Sequence, residues 1–122
     1  MADTVENRNI ALDVAKLIDE HLGENTVVLE LGEMSSWADF FVISTVRSKA
    51  HLTGLVKHLK DYFREKHITI LNSYKTMTFS GWELIDCGSI VIHLMDSEKR
   101  DFYQLERLWF KSKILYHSSK SS

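Results

Sequence analysis

The run Phe40-Phe41-Val42-Ile43 leaves no position for water. A strand wet on one side alternates apolar with polar residues, whereas consecutive aromatic and β-branched residues describe a strand covered on both faces. The rest of the chain must therefore supply neighbouring strands and a layer of apolar side chains above and below this one. A chain of 122 residues buries about two-thirds of its surface on folding, enough for one such core. A single domain is expected over residues 1–117, with the Ser/Lys stretch 118–122 as a disordered tail.

Around that strand the apolar periodicity alternates between two kinds. Ile10, Val14, Leu17, Ile18 and Leu22 recur at helical spacing ahead of Gly23, which predicts a helix from about Glu6 to Leu22. Thr26–Leu31 and Asp39–Thr45 read as strands, joined by a loop containing Gly32, Ser35 and Ser36. Ser48 caps a second helix whose buried stripe is Leu52, Leu55, Val56, Leu59, Tyr62 and Phe63, with Arg64, Lys66 and His67 placed well against its dipole. Ile68–Leu71 reads as a short strand, and 72–80 is given no element.

Trp82–Met95 reads as a hairpin closed by Cys87 and Gly88, pairing Ile85 with Ile90 and Trp82 with His93. One face then carries Ile85, Ile90, Ile92 and Leu94, aliphatic apart from Glu83, and is core. A third helix begins near Ser97, with Phe102, Leu105 and Leu108 or Trp109 at helical spacing. The expected fold is α/β in the broad sense (α+β): a mixed sheet of about five strands flanked by helices, in the order αββαβββα.

Several functions are excluded by what is missing. Gly23, Gly32, Gly54, Gly81 and Gly88 are scattered singly, so no phosphate-cradling loop is present. No two histidines have the spacing of a helix-borne metal pair, and Cys87 has no second cysteine near it, so neither a metal nor any other cofactor is expected. A Cys87–His93 nucleophile pair fails on the hairpin geometry, and carboxylate pairs such as Asp86 with Asp96 or Glu30 with Asp39 are common by chance among seventeen acids. No catalytic residue is assigned. No apolar run spans a membrane and the acidic N-terminus resembles no targeting peptide, so the cytoplasm is expected.

The charge is uneven. Residues 1–46 hold nine acids against two bases, and residues 47–122 hold thirteen bases against eight acids. Such a distribution points to a charged partner but not to a phosphate backbone, which needs a broadly basic footprint, so little direct nucleic-acid contact is expected. The hairpin's second face, Trp82, Leu84, Val91, His93 and Met95, is apolar with polar handles, the mixture found at the centres of protein interfaces. It is expected to be an exposed docking patch, the competing reading being that the third helix covers it.

Four pieces of sequence occur in order at fixed separations: Ser35-Ser36-x-x-Asp39-Phe40-Phe41-Val42-Ile43; Ser48 opening a helix; Trp82-x-Leu84-x-Asp86-x-Gly88 with Val91-Ile92-His93; and Arg100-x-Phe102-Tyr103-x-Leu105-Glu106-x-Leu108-Trp109. Together they resemble the ribosomal silencing factor (Iojap-like) family from about Ile10 to Trp109. The resemblance implies a nucleotidyltransferase-like fold without that activity. It also implies binding to ribosomal protein number fourteen of the large ribosomal subunit, which blocks small-subunit joining and represses translation.

Carried onto this chain, Trp82 and Tyr103 match the aromatic positions expected to face the partner, with His93 and Arg100 beside them. Leu84 and Met95 join them from the hairpin register. Asp39, Ser48, Asp86, Leu105, Glu106 and Trp109 read equally well as structural. Two other classes remain: a nucleotidyltransferase-type enzyme, which would carry a Gly-Ser turn where Thr45-Val46-Arg47-Ser48 stands, and a self-associating module that pairs through the Trp82 face as a homodimer.

Overall fold

The computed structural model describes residues 4–32, 35–36, 38–71, 81–104, 107 and 112–118. Its elements are α1 (Thr4–Glu20), β1 (Glu24–Glu30), β2 (Phe40–Thr45), α2 (Lys49–Glu65), β3 (Trp82–Asp86), β4 (Ile90–Met95), α3 (Ser97–Tyr103) and β5 (Lys113–His117). The strands form one mixed sheet in the order β3-β4-β2-β1-β5. Only β2 and β4 run parallel, pairing Phe40 with Ile90 through Thr45 with Met95. The doubly apolar strand β2 is thus the centre of the sheet, and all six of its residues are buried.

Two cores result, one on each face. On the helix face, Phe40 and Val42 of β2 and Ile85, Ile92 and Leu94 of the hairpin meet Ala11, Val14, Ala15 and Ile18 of α1 and Leu52, Leu55, Leu59 and Phe63 of α2. On the far face, Phe41 and Ile43 cluster with Val27, Leu29, Leu31, Ala38, Val91 and Met95, and Trp82 and Leu84 pack against them. The alternating directions of side chains along each strand divide the residues this way. α2 is started as its sequence requires: the Ser48 hydroxyl accepts from the His51 N–H at 3.0 Å.

The class and the central strand are as expected, but the element order is αββαββαβ. Ile68–Leu71 is not a strand. Ile68 and Ile70 pack half-buried against the helix-face core, and the segment's link to the sheet is the Leu71 N–H on the Asp86 carbonyl at 2.7 Å. Burial alone accounts for their apolar alternation. The hairpin register also differs, because the loop is Gly88-Ser89: Cys87 N–H donates to the Ile90 carbonyl, and Trp82 pairs with Met95 and Leu84 with His93. Each partner is displaced by two residues, so every side chain keeps the face expected of it.

The third helix is shorter than its periodicity predicts. It ends at Tyr103 because Gln104 turns left-handed at φ 47°, and Phe102 is 78% exposed instead of core. Leu105, Glu106, Leu108 and Trp109 lie outside the described residues. The fifth strand is β5, antiparallel to β1 at the sheet edge. Ser118, assigned to the tail, is buried and donates its N–H to the Thr26 carbonyl at 2.8 Å; 119–122 are outside the described residues.

Candidate functional site

At the β3 edge of the far face, five rings climb from the core to solvent. Phe41 on β2 meets the His93 ring of β4 edge-on, with centroids 4.5 Å apart. The Trp82 indole of β3 lies 5.8 Å from His93 and donates its Nε1–H to His93 Nδ1 at 3.1 Å. Tyr103 of α3 tilts over the indole at 4.8 Å, and Phe102 meets Tyr103 edge-on at 5.0 Å. Exposure rises along the series, from 3% at Phe41 and 4% at His93 to 43% at Tyr103 and 78% at Phe102.

The contact between β3 and α3 that builds this ladder depends on Gly81. Its φ is +100°, and a Cβ there would lie 2.6 Å from Lys99 Cγ and 2.8 Å from Asp96 Oδ2. Glycine alone lets the chain entering β3 touch the start of α3, where the Gly81 carbonyl accepts from the Asp96 N–H at 2.9 Å. Asp96 caps that helix through Oδ1 on the Lys99 N–H at 2.7 Å. On the other side Arg100 Nη1 donates to Thr45 Oγ1 at 3.1 Å and to the Glu24 carbonyl at 3.3 Å, tying α3 to the ends of β1 and β2.

The six residues singled out from sequence therefore divide. Trp82 and Tyr103 stack at the rim, with Leu84 half-buried on the same strand face as Trp82. His93 and Met95 are buried, Met95 completely, so they support the rim from beneath and offer no contact surface. Arg100 reaches the strand ends. The bare apolar ribbon expected from sequence is in fact a second core, and its outer surface narrows to Trp82, Leu84 and the α3 aromatics. Phe102, placed by its spacing on the apolar stripe of the third helix and not among these six, is the most exposed of the five rings.

Burial holds the His93 imidazole neutral, with its pKa lowered to about 4. Cys87 belongs to the helix-face core, so the sheet stands between it and His93, and burial followed by the Asp86 charge pushes its thiol up to about 12. No nucleophile pair exists there. At the β2–α2 turn Arg47 is ion-paired to Glu24 at 3.1 Å and Ser48 is occupied as the helix cap. Glu30 is paired with Arg8 at 3.1 Å. A cleft of about 610 Å3 opens beside α3, where the acids Glu24, Glu98 and Asp101 stand among the bases Arg100 and Arg107. Among the described residues no three potential metal ligands converge, and no helix is long and apolar enough to cross a membrane.

Known proteins share this fold. A crystal structure of a Chromobacterium violaceum protein superposes with a TM-score of 0.75, covering 99% of this chain and 92% of that one; at 21% identity the likeness speaks for the fold. The "Ribosomal silencing factor RsfS" of Halalkalibacterium halodurans is 30% identical over 107 residues, 86% of this chain and 89% of the relative. The protein of the same name from Zymomonas mobilis is 34% identical over 97 residues, 79% of this chain and 71% of the relative. Residues 4–121 match the family model described as "Ribosomal silencing factor during starvation", and with nearly the whole chain so matched, the protein belongs to the ribosomal silencing factor family.

Proposed function

We propose that this chain docks on the large ribosomal subunit through ribosomal protein number fourteen and, seated there in the cytoplasm, obstructs the joining of the small subunit without catalysing a reaction. The observation that carries the reading is the exposed Tyr103–Phe102 pair stacked on a half-buried tryptophan. Large aromatic side chains held rigidly at a surface lose little entropy on docking and dominate interface energetics. Nothing in the folding of a helix as short as α3 requires two adjacent aromatics on its outer side. A footprint on the order of 800 Å2 per partner is enough for a specific complex. Leu84 extends the apolar area along β3, and Arg100 keeps α3 in place beneath the contact.

Co-sedimentation with isolated ribosomal subunits tests this directly. The protein is expected with the large subunit only, and its presence is expected to reduce subunit joining. Trp82→Ala and Tyr103→Ala are each expected to weaken binding by about 2 kcal/mol or more while the domain stays folded. Wild-type affinity in both variants would reject the assigned face.

A further inference from the structure

We infer that His93 is a positioning residue for this docking surface: its Nδ1 holds the Trp82 indole, and through it the Tyr103–Phe102 stack, in the orientation the partner meets. The inference rests on the reading just given and adds to it a residue that touches no partner.

Trp82 is the first residue of an edge strand, follows a glycine at φ +100°, and lays its indole half-buried against the far-face core, a packing that does not by itself fix where the ring nitrogen points. What fixes the ring is the hydrogen bond from its Nε1–H to His93 Nδ1 at 3.1 Å, with Tyr103 tilted over it at 4.8 Å. His93 is itself immobilised. It lies on β4, between β3 and β2 in the sheet, is 4% exposed, and has the Phe41 ring against it at 4.5 Å.

The protonation state shows what the imidazole is there to do. To accept at Nδ1, a neutral imidazole must carry its proton on Nε2. That Nε2 is buried and has no hydrogen-bond partner among the described residues. A buried donor left unpaired is unfavourable, so a side chain required only to fill this space would do better as phenylalanine or leucine. The one interaction of the ring that an apolar side chain of similar size cannot supply is the acceptor offered to Trp82. Burial lowers the imidazole pKa to about 4, which keeps that acceptor available throughout the neutral range.

Two variants separate the acceptor from the packing. His93→Phe keeps the bulk and removes the acceptor, whereas His93→Asn places an amide oxygen close to the Nδ1 position and sacrifices packing. In full-length protein labelled at the tryptophan indole nitrogens, with the Trp82 signal assigned through Trp82→Phe, the Nε1–H is expected to exchange slowly in wild type and His93→Asn and at least tenfold faster in His93→Phe. Affinity for purified large subunits is expected to fall about tenfold in His93→Phe and less than threefold in His93→Asn, although His93→Asn is the less stable protein. A purely structural role predicts the reverse order, with affinity following stability. Wild-type affinity in His93→Phe, or an indole proton equally exchangeable in all three proteins, would overturn the inference. Should His93→Phe fail to fold, His93→Leu takes its place, and rapid indole exchange in the wild type is decisive by itself. If the wild type does not bind large subunits, the docking proposal fails, while the exchange measurement still decides whether His93 holds Trp82.

Discussion

A proton on His93 would place a charge inside the sheet, and the resulting linkage has a definite sign. The unfolded imidazole titrates near 6.5 and the folded one at about 4, so as pH falls the unfolded chain takes up the proton first. The contribution of His93 to stability is complete above about pH 6.5 and is lost as pH drops towards 4, a total of about 3 kcal/mol. Buried Glu83 has the opposite sign: burial raises its pKa, so its contribution is lost as pH rises above the ordinary carboxylate range. Comparing wild type with His93→Phe isolates the histidine. Near pH 7 the variant loses the Trp82 bond and sheds the orphaned Nε2–H, each worth about 1 kcal/mol, so the two proteins are expected to be nearly equal in stability. At pH 4.5 the variant is expected to be the more stable by about 2 to 3 kcal/mol. Urea unfolding at the two pH values checks both, and equal acid sensitivity would show that His93 does not carry the linkage.

At the scale of the elements, local chemistry decides which parts of the structure are legible from sequence. α1 and α2 announce themselves by apolar residues at helical spacing, α2 with a capping serine besides, and β1 and β2 by short continuous runs of β-branched, aromatic and aliphatic residues. The hairpin faces were readable from parity alone, but the register was not, because Cys87-Gly88 and Gly88-Ser89 both put a glycine in the turn. At φ +85° Gly88 suits either. β5 was missed because Lys113–His117 is a five-residue edge strand with Ile114 64% exposed, so burial imposes little pattern on it. Its anchors are a ladder to β1 and a hydrogen bond from the Tyr116 hydroxyl to Asp19 of α1, neither of which leaves a local signature. The aromatic and apolar character of the Trp82 face was legible, whereas the burial of His93 at 4% exposure was not, since exposure depends on which elements cover a face.

Two glycines test this description of the elements. Gly81→Ala forces a side chain into a φ +100° position against Asp96 and Lys99. It is expected to cost about 1 to 3 kcal/mol and, by parting β3 from α3, to weaken large-subunit binding as well. Gly54 lies within α2, where an added Cβ meets nothing within 4 Å, so Gly54→Ala is expected to stabilise the protein by up to about 1 kcal/mol and leave binding unchanged. Thermal unfolding and co-sedimentation of the two variants check both statements.

Considered as a whole, the molecule separates charge from contact. The acidic N-terminal third includes α1, which packs on the helix face, whereas Trp82 and Leu84 pack on the far face. The exposed acids of α1, among them Glu6 and Glu20, lie on the helix side of the sheet, about the 10 Å width of a helix from that far face, whereas Glu24 stands beside α3. The Debye length at physiological ionic strength is about 8 Å, so their field is largely screened before it reaches a partner seated on the aromatic rim. If the aromatic rim is the docking surface, the charge of α1 acts at long range on encounter and not in the bound contact, which fixes how it should respond to salt. Glu6→Lys combined with Glu20→Lys is expected to change the equilibrium affinity for large subunits less than about threefold near 0.15 M salt. Near 0.01 M salt, where the Debye length is about 30 Å, the same pair is expected to change the association rate, slowing it if the partner surface is basic and speeding it if acidic. Binding kinetics at the two ionic strengths measure both quantities. Loss of binding at physiological salt would place α1 in the contact and move the docking surface to the opposite side of the sheet.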